Sequence, residues 1–217
     1  YHPKFNVMKS IVNYFKLIWL LFVFLFSVNI ILAQEEGKIN SIENFFIDSE
    51  ILNEKREFTI FLPDNYTKSK DKYPVLFLLD GKTHFQHAIS AVNFLSTRSI
   101  IPKLIIVSIH NIDRNRDFSP VYNERFPTSG GAEKFRNFIE KELKTYLDKH
   151  YRTSKFSVLM GHSFGGTFAS YSLLTQPDLF DGYIAVSPYL QYSNNHLVNL
   201  AETELHKKYK NEKFFYM

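Results

Sequence analysis

No cysteine occurs in the 217 residues. Its absence excludes disulfides, thiolate metal sites, a cysteine nucleophile and a lipid anchor on cysteine, and it leaves the redox compartment open. The histidines and carboxylates show no metal-ligand spacing, so no metal and no other cofactor is predicted. There is no internal repeat and no low-complexity linker. The first 33 residues contain no acid but hold Lys4, Lys9 and Lys16, so the remaining chain carries 23 basic against 22 acidic residues. A body so near neutrality gives no electrostatic case for nucleic acid.

What is present begins with that N-terminal stretch. Residue 1 is Tyr, and residues 1–7 read as upstream of a start at Met8. Lys9 and Lys16 form a basic region, and Leu17 to Leu32 is apolar apart from Ser27 and Asn29. Ala33 and Gln34 then meet Glu35 and Glu36. That order predicts a secretory signal peptide cut near Ala33, although Ile31 is bulkier than the usual residue at that place. The alternative is an uncleaved anchor, with the membrane engaged through this segment alone. Either reading puts the body, residues 34–217, in a periplasmic or secreted location. Apolar residues make up 45% of the chain, enough for a real core in one domain. Phe (22) and Tyr (13) are frequent, which predicts aromatic core filling.

The most informative segment is Gly161-His162-Ser163-Phe164-Gly165, which fits G-x-S-x-G. Residues 156–160 before it read as a buried strand, and Gly166 to Leu174 after it as a helix. A serine alcohol becomes a useful nucleophile when a sharp turn lifts its oxygen out of a sheet toward a base. Flanking glycines suit so tight a turn. The setting predicts an ester-cleaving serine hydrolase with Ser163 as nucleophile, acting on a small-molecule ester.

The body reads as alternating strands and helices. Residues 45–52 and 56–62 form an antiparallel hairpin, Phe58 and Ile60 alternating inward. Pro74 to Leu79 and Lys103 to Ile109 are apolar runs of buried strands. His84 to Arg98 and Ala132 to His150 have helical periodicity. A long polar loop runs from His110 to Gly131, a strand covers 183–186, residues 191–209 are largely helical, and Lys213 opens another strand. This is α/β: a mainly parallel sheet with an N-terminal antiparallel hairpin. Ligands of such sheets bind at the carboxyl ends of the strands. Ser163, the turn Asp80-Gly81-Lys82, the 110–131 loop and Ser187-Pro188 all fall there.

Acyl transfer needs donors for the developing oxyanion. The amide of Phe164 stands at a helix start just after the nucleophile, and a second donor comes from the turn after the third strand. That turn offers the amide of Lys82, with Gly81 second. Asp80, Arg114 and Ser187 are candidate substrate-binding residues. Arg114 and Arg116 can grip an anion, or simply belong to a solvated loop. Of the histidines, His110 and His162 lie nearest in sequence to the predicted rim, but neither has the place in the chain that a base requires.

Several of these motifs, in this order, resemble one family. The run Tyr73 to Gly81 (YPVLFLLDG), Asp113-Arg114, Gly130 to Phe135 (GGAEKF), Tyr151 to Thr153 (YRT), Gly161 to Gly166 (GHSFGG) and Ser187-Pro188 are similar to the putative-esterase, or esterase D-like, family of α/β-hydrolases. Its members include siderophore esterases, feruloyl esterases, S-formylglutathione hydrolases and mycolyltransferases. The resemblance covers about residues 40 to 217 and implies the α/β-hydrolase fold, Ser163 as nucleophile, and Lys82 plus Phe164 as oxyanion donors. Asp80, where many relatives have His, leans toward the siderophore-esterase side. The fold supplies its acid and then its His after the nucleophile, and Lys213 to Met217 contains neither. The expectation is that the catalytic acid and His are not present in this chain, that the last strand or strands of the sheet are missing, and that this fragment alone turns over little substrate and dissolves poorly. Two other readings share the fold: a non-catalytic ligand-binding protein, and an acyltransferase to a sugar acceptor.

Overall fold

The computed structural model describes Lys16, residues 18–22, 41–206 and 212–217. The chain divides into two units, residues 1–39 and 40–217. In the first, residues 18–22 are helical. The cleavage site near Ala33 and most of the apolar run lie outside the described residues. Among the described residues no helix is long and apolar enough to cross a membrane.

The second unit carries a seven-stranded sheet in the order β1-β2-β4-β3-β5-β6-β7. Its strands are β1 (Ile42–Ser49), β2 (Glu54–Phe61), β3 (Tyr73–Leu78), β4 (Ile105–Ile109), β5 (Thr153–His162), β6 (Gly182–Val186) and β7 (Phe214–Tyr216). The expected hairpin is β1 against β2, with Phe45 opposite Phe58. β2 also runs antiparallel to β4, and the other four pairings are parallel. The sheet is therefore mainly parallel with an antiparallel edge, as predicted.

Period-two alternation sorts the strand residues onto two faces. Val75, Phe77 and Leu79, Ile105, Val107 and Ile109, and Leu159 face the larger core. Leu76, Leu78 and Ile106, with Val158 and Met160, face a smaller cluster under α1 (Gly81–Thr97). The larger side is covered by α2 (Arg114–Phe118), α3 (Ala132–Phe138), α4 (Lys144–His150) and α5 (Phe164–Thr175). Aromatics fill it: Phe135 meets Phe168 edge-on at 5.1 Å, and Phe77 meets Phe180 at 5.2 Å.

Three local expectations need correction. The helix predicted over 132–150 contains a wider π turn at Ile139–Leu143 between α3 and α4. The 110–131 loop is not wholly irregular, because the Asp113 carboxylate accepts from the Arg116 amide at 3.0 Å and caps α2. The helix predicted from 191 is α6 (Tyr192–Glu204), but Ser193, Asn194 and Asn195 have left-handed φ of 49°, 57° and 60°, so regular helix starts after them.

Candidate active site

β3 and β5 are neighbours in register, Leu78 beside Met160, and the Leu79 amide donates to the Met160 carbonyl at 2.9 Å. Two residues past Leu78 comes Asp80, and three past Met160 comes Ser163. The pairing thus sets two strand-to-helix turns side by side on the carboxyl rim of the sheet.

Ser163 is held in the tight turn that the motif predicts. Its backbone has φ 56° and ψ −117°, an unfavourable region for a side-chain-bearing residue. Conformations of this kind cost on the order of 1–3 kcal/mol and persist where surrounding structure fixes them. Here the Ser163 amide donates to Val186 at the end of β6 (2.9 Å), and its carbonyl accepts the Thr167 amide (2.9 Å). The turn closes because Gly161 has no side chain: a Cβ there would lie 2.3 Å from the Gly165 backbone. Ser163 is partly exposed, and no hydrogen bond engages its Oγ among the described residues.

The second turn has the same logic. Asp80 is left-handed (φ 53°) and precedes α1, which starts at Gly81 rather than at His84 as the periodicity implied. Gly81 passes so close to β4 that a Cβ would fall 2.2 Å from Ser108 Oγ. Thr83 and His84 donate to the Asp80 carbonyl, and the Gly81 and Lys82 amides, ahead of the first intrahelical acceptor, have no partner among the described residues. Phe164 occupies the equivalent first position of α5. Two helix N-termini, each a locus of partial positive charge, thus open on one rim. The Lys82 ammonium turns outward to Glu57 at 3.2 Å.

Arg114 grips an anion, but that anion belongs to its own chain. Its Nε and Nη2 donate to the two carboxylate oxygens of Asp80 at 2.7 and 3.1 Å, and Nη2 also donates to the His162 carbonyl at 3.2 Å. The Asn111 amide adds a third donor to Asp80, which is 7% exposed. One guanidinium therefore ties the Asp80 turn to the Ser163 turn. Arg116, 31% exposed, is tied to carboxylates of its own chain: it binds Glu54 at 2.6 and 2.9 Å and Asp117 at 2.8 Å. Ser187, left-handed at φ 44°, is exposed beside the turn.

No histidine takes the place of a base among the described residues. His110 is buried, with Nδ1 3.1 Å from Glu57 and Nε2 3.0 Å from Thr59 Oγ1. The His110 contact and Lys82 together hold the Glu57 carboxyl below its ordinary range. His162 packs against His84 with ring centres 5.5 Å apart. Both line a groove of about 580 Å³ that runs between α1 and strands β5 and β6, and Ser163 does not line it.

Sequence reasoning missed the ionic network beneath the rim. Arg56, fully buried in β2, donates to Asp117 at 2.7 Å, to Glu54 at 2.9 Å and to the His110 carbonyl at 3.0 Å. Burial pushes the Asp117 carboxyl up, against the pull of Arg56 and Arg116. The clue was legible: alternation puts Arg56 on the inward face with Phe58 and Ile60.

Known proteins bear on this geometry. Residues 49–213 match the family model described as "Putative esterase". The ferri-bacillibactin esterase BesA of Bacillus subtilis is 32% identical over 179 residues, 69% of this chain and 62% of that one. The structure of an IroE-like serine hydrolase from Shewanella oneidensis is 39% identical with a TM-score of 0.73, over 76% of this chain and 56% of that one. The BES protein from Bacillus cereus is 28% identical with a TM-score of 0.71, over 80% and 72%. The chain spans about three fifths of the length of the curated relatives it matches. With a family match across most of its body and the sheet order described above, this chain belongs to the putative-esterase family and has the α/β-hydrolase fold.

Proposed function

We propose that the intact protein hydrolyses carboxylic esters with Ser163 as nucleophile. Ser163 Oγ attacks the ester carbonyl carbon, giving up its proton to a base, and the negative charge passes to the carbonyl oxygen. The amides of Phe164 and Lys82, with Gly81 second, are the donors assigned to that oxygen. Collapse releases the alcohol and leaves an acyl-serine, which water cleaves to the acid. The observation that carries the reading is Ser163, held at φ 56° on the turn after β5, next to the turn after β3, where the Gly81 and Lys82 amides have no partner among the described residues. No described histidine hydrogen-bonds Ser163, and the 217-residue chain alone is expected to turn over little substrate. Siderophore-like and other small esters are the proposed substrates, supported by relatives named as siderophore esterases. Of the three candidate substrate-binding residues, Ser187 is exposed, while Arg114 and Asp80 hold each other.

The test is fluorophosphonate labelling of the intact gene product, read by peptide mass spectrometry. Label on Ser163, lost in Ser163→Ala together with ester hydrolysis, is expected. An intact protein that hydrolyses nothing and takes no label at Ser163 defeats the proposal and favours the ligand-binding reading. The N-terminal order of basic, apolar and small residues supports export to a periplasmic or secreted location, which cell fractionation checks.

A further inference from the structure

The rim opposite Ser163, where the parallel strands begin, contains a hollow of about 330 Å³. Tyr151 at its edge precedes β5 and Ser163 follows it, so the 10-residue strand sets the two regions about 30 Å apart. Glu43 and Phe45 of β1, Leu62 after β2, Tyr66, Tyr146 of α4 and Tyr151 line it. Ester chemistry has no use for it.

Three features of the hollow favour a cation, against Arg152 on Tyr66 and Lys149 and His150 in the last turn of α4. Its walls are aromatic and set at angles: Phe45 meets Tyr151 edge-on at 5.8 Å and Tyr146 at 5.9 Å, tilted 59°. Ring faces are electronegative and attract cations. Tyr66 already holds a cation, with the Arg152 guanidinium 3.9 Å from its centre, and the His150 ring, which also lines the hollow, lies 4.4 Å from that of Tyr146, so the faces of Phe45 and Tyr151 are the ones proposed to meet a ligand. Next, the Glu43 carboxylate accepts from Ser41 Oγ (2.8 Å) and the Tyr151 hydroxyl (3.2 Å), and no ion pair engages it among the described residues. With burial as the larger cause, Glu43 also holds the Tyr146 and Tyr151 hydroxyls above their ordinary range. Last, α4 ends here at His150, and the final carbonyls of a helix carry partial negative charge. An anion is repelled by all three features, and a neutral apolar solute gains from only the walls.

We propose that this hollow is a binding site for an organic monocation of the alkylated-ammonium class, its charged head against the rings and beside Glu43. Choline and its neutral isostere 3,3-dimethylbutan-1-ol, which differ in charge at nearly equal size, are the probes. Each is titrated into the protein at pH 8 while tyrosine-ring signals are followed by NMR. Saturable choline binding is expected, about tenfold tighter than the alcohol, and weakened about tenfold in Glu43→Gln and in Tyr151→Leu. Thermal melts confirm that both variants are folded; Glu43 is exposed, so its variant is the safer of the two. Ser163→Ala binds choline as the parent does. Equal binding of the alcohol, choline binding unchanged in Glu43→Gln, or no saturation overturns the proposal. None of these results touches the ester-hydrolase reading.

Discussion

At the scale of single residues the site depends on close approach. Gly161 is the sharpest case, since an added methyl would sit 2.3 Å from backbone atoms of Gly165 that cannot rotate away. Gly161→Ala must move the Ser163 turn or the start of α5. The expected cost is about 1–3 kcal/mol in urea unfolding, with loss of fluorophosphonate labelling in the intact protein. Arg114 supplies a different test. Removing it leaves the Asp80 carboxylate buried with only Asn111 as donor. Breaking a buried pair costs about 3–5 kcal/mol, and the one-third exposure of Arg114 reduces that to about 2–3 kcal/mol for Arg114→Ala. The penalty belongs to the stranded charge, so adding Asp80→Asn should recover part of it. A double variant less stable than the sum of the single losses contradicts the pairing.

At the scale of elements the rim is positioned by the network that joins β2 to α2. Arg56 and Asp117 have side chains 1% exposed. Asp117→Leu leaves Arg56 buried with Glu54 as its only carboxylate, at an expected cost of about 3–5 kcal/mol, and adding Arg56→Met should restore much of it. The network also shapes the acid limb of stability. Glu54 is held below its ordinary 4.5: burial raises it, but the hydrogen bonds from Arg116 and Arg56 together win. Glu57 and Asp113 are lowered as well. A lowered carboxyl contributes stability above its unfolded value that is lost as pH falls through the folded one. Raised Asp117 works in the opposite sense and softens the slope. Urea midpoints measured downward from pH 7 should therefore hold to about pH 4.5 and fall below it, and less steeply in Glu54→Gln. These elements also show what the sequence made legible. Strand periodicity, the hairpin and the tight turn at Ser163 could be read because each is local, set by alternation or by glycine spacing. The pairing of Arg114 with Asp80, and of Arg116 with Glu54, joins residues 34 and 62 positions apart, and only the strand order brings them together. The left-handed run at 193–195 follows from polar residues that read equally well as helix surface.

At the scale of the whole molecule the two faces of the sheet are unequally covered. Four helices and the larger core lie on one side, whereas on the other α1 packs over β3 and β4. Beyond it, the groove of about 580 Å³ is floored by Val158, Met160 and Ile184. Phe156 (51% exposed) borders it, and β7, which pairs only with β6 among the described residues, presents Phe214 (59%) on the same face as Val158. Contiguous apolar surface larger than a few hundred Å² is rarely left bare on a soluble monomer, and an open strand edge adds unpaired amides and carbonyls to it. The 217-residue chain alone should therefore associate with itself as concentration rises, in keeping with the low solubility expected from its sequence. Sedimentation velocity over a dilution series measures this directly. Phe156→Lys with Phe214→Lys puts two charges on the bare face, since Phe214 pairs with Gly182 and through it shares the face of Val158, and should shift the distribution toward monomer. A parent chain that sediments as a monomer across the series would mean that this face is not sticky enough to matter. A double variant that associates as strongly as the parent would place the contact on another surface.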